Sequence, residues 1–98
     1  MNQQVTIIAT LYARPGQEDA LAQRMRTMIA ETHKEAGCIL YELQRSNDDP
    51  REFIVVEFWA DAEAVALHNA SAHMAALAAE LPALIERPVA VRKYTPAG

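Results

Sequence analysis

Three side chains between Val56 and Met74 (VEFWADAEAVALHNASAHM) have chemistry to offer: the only tryptophan, Trp59, and two of the three histidines, His68 and His73. A histidine titrates near neutral pH, so it can take a proton from a substrate, return one, or bind a metal. A metal pair on one helix needs a spacing of three or four residues, which brings both rings to one face. His68 and His73 are five apart, a net rotation of about 140° at about 100° per residue, which turns the rings away from each other. A zinc or iron site would also want a third ligand, for which Glu57 is the nearest candidate. No metal is expected.

That geometry changes if the helix is broken. Asn69 and Ser71 are good caps and poor mid-helix residues, because their side chains compete for nearby backbone groups. A break at Asn69–Ser71 makes His68 the end of one short helix and puts His73 in the opening turn of the next. Both rings can then converge above a sheet, near Trp59. A histidine in a first turn is biased toward its neutral form by the helix dipole, which suits a general base. The plain alternative is two half-buried, satisfied residues with no chemical job.

The elements that must hold these residues follow from periodicity. Val5 to Ala13 is rich in β-branched residues and stops at Arg14-Pro15-Gly16, a strand and a turn. In QEDALAQRMRTMIAETHKEAG, Leu21, Met25, Met28, Ile29 and Thr32 fall at helical spacing, and Gly37 offers a left-handed stop. CILYELQR and REFIVVEFWA read as strands around the turn cluster Ser46 to Pro50. Asp61 caps the next helix, which runs to Leu81 before Pro82, and Pro88 to Tyr94 closes as a strand. The order β-α-β-β-α-β predicts a single ferredoxin-like α+β domain over residues 1–98, a four-stranded antiparallel sheet with its helices on one face.

Two helices cover only one sheet face, yet both faces read as apolar. Phe53, Val55 and Trp59 lie on one side with Glu57, and Ile54, Val56 and Phe58 lie on the other. Ile39, Tyr41 and Leu43 likewise oppose Cys38 and Leu40. A homodimer through the bare face is the simplest remedy. Glu57 on an inward face would be costly alone, so it is expected to be a site residue or half of an ion pair with Arg92 or Lys93.

Composition excludes several function classes. A net charge of −4 is unsuited to non-specific nucleic-acid binding. No apolar run approaches the roughly 20 residues that cross a bilayer, and the start of the chain does not read as a signal peptide. A single cysteine, Cys38, rules out an internal disulfide and fits a reducing compartment, so the cytoplasm is expected. His33, near the end of the first helix, is assigned no role.

Taken together, Glu35-Ala36-Gly37-Cys38, Tyr41, Asp49-Pro50, Phe53, Glu57-x-Trp59, Glu63-Ala64, His68 and His73-Met74 resemble the antibiotic biosynthesis monooxygenase (ABM) domain family over nearly the whole chain. The resemblance implies a dimeric α/β barrel joined through the sheets. It also implies oxidation of a small phenolic or quinol-type aromatic substrate by O2, with no cofactor. On that reading His68 and His73 are the catalytic candidates, and Trp59, Phe53, Glu57 and Tyr41 contact the substrate. The haem-degrading relatives place an asparagine on the first strand where this chain has Ala9, which speaks against haem. An isomerase of a small phosphorylated dione, similar to the autoinducer-2 branch, and a non-catalytic small-ligand binding module are the alternatives.

Overall fold

Burial alternates along β1 (Val5–Tyr12) in the structure, a computed structural model that describes residues 3–98. Ile7, Ala9 and Leu11 point into the core, and Thr6, Ile8 and Thr10 point the other way. The same alternation in β3 (Glu52–Trp59) buries Phe53, Val55, Glu57 and Trp59. With β2 (Cys38–Arg45) and β4 (Ala90–Tyr94) these strands form one antiparallel sheet in the order β2-β3-β1-β4. That is the ferredoxin-like order. β4 is shorter than the predicted Pro88–Tyr94 and lies on the sheet edge.

Helix α1 (Glu18–Thr32) buries Leu21, Ala22, Met25, Met28 and Thr32 against the inner face. It starts with Glu18 and Asp19, whose charge suits the positive helix end. It stops at Thr32, before Lys34 and Gly37, and Gly37 does not take the predicted left-handed conformation; among the described residues only Gly16 has positive φ. Gly37 is needed for space instead. A Cβ there would collide with the Cβ of Ala64, so the residue lets the second helical layer sit on the start of β2.

That second layer breaks where the caps predict. α2 (Ala62–Asn69) opens with Asp61 Oδ1 accepting the Ala64 amide at 2.9 Å, and α3 (Ala72–Glu80) opens with Ser71 Oγ accepting the Met74 amide at 3.2 Å. A single turn of 3-10 helix, Leu81–Ala83, follows with Pro82 in its first turn. No helix among the described residues is long and apolar enough to cross a membrane.

One face assignment needs correction. Cys38 pairs with Trp59 and Leu40 pairs with Phe58, so Ile39 is an extra residue, a β-bulge at the start of β2. The bulge puts Cys38 on the same side as Tyr41 and Leu43, against the core, and leaves Ile39 58% exposed. Strict alternation would have placed Cys38 on the outer side. The outer face carries Ile8, Ile54, Val56 and Phe58, each only partly buried.

Candidate functional site

The elbow between α2 and α3 brings the two histidines together. His68 is in the last turn of α2 and His73 in the first turn of α3, and both rings meet one atom. His68 Nδ1 and His73 Nε2 each lie 2.7 Å from the same oxygen, Oε2 of Glu35. Glu35 stands in the turn between α1 and β2, far from both in sequence. Its role was not legible there, although it begins the Glu35-Ala36-Gly37-Cys38 stretch. A carboxylate only accepts hydrogen bonds, so each ring donates to it, and Nε2 of His68 is left as an acceptor.

His68 is 2% exposed and leans on Trp59, with ring centroids 4.5 Å apart and planes tilted by 39°. Tyr41 completes the aromatic group, its ring 5.6 Å from His68 and 6.3 Å from Trp59. The Trp59 indole N–H donates to Glu57 Oε1 at 2.8 Å. Glu57 is 5% exposed and has no cationic partner among the described residues, so of its two expected roles the ion pair with Arg92 or Lys93 is not formed. Arg92 pairs with Ile8 on the outer face, while Lys93 pairs with Ile7 on the inner one. Burial pushes the Glu57 carboxyl up to about 7; the Trp59 hydrogen bond opposes that rise and the Glu35 charge adds to it. Burial, and then the Glu57 charge, also hold the Tyr41 hydroxyl well above its ordinary value, so it remains a proton-bearing donor.

Tyr41, Glu57 and His68 line one end of a cavity of about 230 Å³ between the sheet and the helices. Ile7, Leu11, Met25, Val55 and Leu77 give it apolar walls. Tyr41, Glu57, His68 and Asn69 supply polar atoms, and Lys93 is the one cation in its lining. Ala9 lines it too. Such an enclosure can hold a small apolar ring and present an acid and a base to its polar substituent.

Three predicted site residues do not line this cavity. Phe53 faces inward but lies six residues along β3 from Trp59, roughly 20 Å at the usual rise per residue. It sits under the Arg45 guanidinium, 4.6 Å from ring to carbon, in a groove by the start of α1. His73 meets Glu35 and does not line the cavity. Trp59 has no exposed surface and does not line the cavity either, backing His68 instead. His33 bonds the Tyr41 backbone carbonyl at 3.2 Å, a structural contact.

Glu35, His68 and His73 also have the donor set of a divalent-metal site, with ligand atoms all within 4.8 Å of one another. Ligands on a tetrahedral ion stand about 3.3 Å apart, given metal–nitrogen bonds near 2.0–2.1 Å. The 2.7 Å separations here are those of charge-assisted hydrogen bonds.

A family model described as "Antibiotic biosynthesis monooxygenase" matches residues 4–80. The chain belongs to that family. A Mycobacterium tuberculosis relative bearing the name "Putative monooxygenase Rv0793" is 33% identical over 96 residues, covering 98% of this chain and 94% of that one. The solved structure of Rv0793 superposes with a TM-score of 0.91 over 97% of this chain and 96% of that one. PA3566 from Pseudomonas aeruginosa, 30% identical, reaches a TM-score of 0.92 over 100% of this chain and 98% of that one. SO0527 from Shewanella oneidensis, 31% identical, reaches 0.91 over 98% and 93%. The fold is therefore shared with these proteins over nearly the whole chain.

Proposed function

We propose that this ABM protein is a cofactor-independent monooxygenase that oxidises a small phenolic or quinol-type aromatic compound with O2. The observation that supports this most is the apolar cavity with His68 and Glu57 at its polar end. An apolar cavity of about 150 Å³ accepts benzene. About 230 Å³ accordingly suits one ring or two fused rings, and is tight for three.

The chemistry asks little of the protein. His68 Nε2 accepts the phenolic proton, and the phenolate is electron-rich enough to pass one electron to O2. The resulting radical and superoxide, held together away from water, combine to form a carbon–oxygen bond at the para ring carbon. His68 returns its proton to the outer peroxide oxygen. Glu57, poised between its two forms near neutral pH, takes the hydrogen from that carbon as the O–O bond breaks. That proton joins the departing hydroxide as water. The sum is phenol plus O2 giving quinone plus water, with all four electrons from the substrate and no outside reductant.

The outer sheet face supports a homodimer. Ile8, Ile54, Val56 and Phe58 are half-buried there, with Tyr94 49% exposed at the edge, and a second copy would cover them. One free cysteine fits a reducing compartment such as the cytoplasm.

The test is quinone formation from 1-naphthol in air by protein pretreated with chelator. Product should accumulate with wild type and fall roughly 10²–10⁴-fold with His68→Gln, the usual worth of a positioned proton acceptor. Equal rates in the two proteins would end the reading.

A further inference from the structure

We infer that Glu35 is the positioning residue of this site, with His73 as its anchor: the carboxylate fixes which nitrogen of His68 carries the proton. The inference rests on His68 being the base. It goes further by assigning work to two residues that do not line the cavity.

The geometry is specific. One oxygen, Oε2, accepts from His68 Nδ1 and His73 Nε2, each at 2.7 Å. Donation through Nδ1 leaves the His68 lone pair on Nε2, the nitrogen free to take a substrate proton. Trp59, at 4.5 Å, holds the ring plane. When Nε2 gains its proton the ring becomes a cation, and the charge that answers it already sits 2.7 Å away. His73 serves the carboxylate in turn. A second donor on the same oxygen stops Glu35 from turning out to water, since the Glu35 side chain is only 17% exposed and the His73 side chain 23%. The arrangement explains why the chain breaks its second helical layer at Asn69–Ser71: on a continuous helix the two rings would diverge. The elbow is held by Ser71, whose hydroxyl donates to the His68 carbonyl at 2.7 Å and accepts the Met74 amide at 3.2 Å.

Two measurements test this. The first needs no substrate: long-range proton–nitrogen NMR reports which His68 nitrogen carries the proton. Wild type should show the Nδ1–H form, and Glu35→Leu should lose its predominance. A wild-type ring protonated on Nε2 overturns the inference. The second is a mutant cycle on turnover. Glu35→Gln, nearly the same shape without the charge, should lower kcat roughly 10²–10⁴-fold, with KM changed less than about threefold. Glu35→Asp, which restores the charge, should be faster than Glu35→Gln. In a His68→Gln background, Glu35→Gln should cost nothing more, because residues that act as a unit are not additive. If Glu35→Gln costs the same factor with and without His68, the residue acts on its own and the inference fails. A wild type that turns over no phenol refutes the functional reading alone, and the NMR result then decides the role of Glu35.

Discussion

Replacing Glu57 by glutamine should make the protein more stable at alkaline pH and leave it unchanged in acid. The side chain is 5% exposed, and its one neutralising contact is the Trp59 N–H. Burial lifts the carboxyl from 4.5 to about 7, so the folded state prefers the protonated form. Below about pH 4.5 both folded and unfolded chains hold that proton, and the group costs nothing. Between about 4.5 and 7 the unfolded chain has released it and the folded chain has not, so stability falls as pH rises. Above about 7 the loss is complete. At 1.36 kcal/mol per pH unit, the window of about 2.5 units amounts to about 3 kcal/mol. Glutamine keeps an acceptor for Trp59 and cannot ionise. Near pH 8 it should exceed wild type by about 3 kcal/mol, or more than about 10 °C in melting temperature for a chain of this size. Near pH 4 the two should coincide. The assay is circular-dichroism melting of both proteins at equal concentration, at steps from about pH 4 to 9. Curves that run parallel across that range would mean that Glu57 ionises as easily folded as unfolded and that its burial carries no cost.

Trp59→Phe removes the one hydrogen bond that eases Glu57 ionisation, so the pH midpoint of that stability loss should rise, at a cost of roughly 1–3 kcal/mol for the orphaned buried acceptor. An unchanged midpoint would mean the contact carries no charge effect. Gly37→Ala should destabilise by roughly 1–3 kcal/mol in urea titration, because its Cβ meets Ala64 and α2 must shift. A neutral result would show the α2 layer to be loosely seated. Light scattering at micromolar concentration should give twice 10.8 kDa, and a mass near 10.8 kDa would rule out pairing through the outer face.

Much of this architecture was written in local pattern. The β3 alternation set Phe53, Val55, Glu57 and Trp59 on one face, and Asn69 and Ser71 marked the break that lets His68 and His73 converge. What escaped needed information that periodicity lacks. A single extra residue at Ile39 reverses the faces on either side of it, and nothing in CILYELQR announces a bulge. Facing the same way is not standing in the same place, which is why Phe53 ends in a different groove from Tyr41 and His68. Glu35 lies 33 and 38 residues from its two histidines, and no spacing rule reaches that far. At Gly37 the sequence suggests backbone freedom, whereas the fold uses its lack of a side chain.

A cofactor-independent monooxygenase divides O2 between substrate and water, and oxygen stoichiometry reports that division. With 1-naphthol and chelator-treated protein in an oxygen electrode, one O2 should be consumed per 1,4-naphthoquinone formed. Catalase should then release no oxygen, because the second atom has left as water. Uptake without quinone, release of oxygen on adding catalase, or activity that appears only with added metal or flavin would each contradict the account.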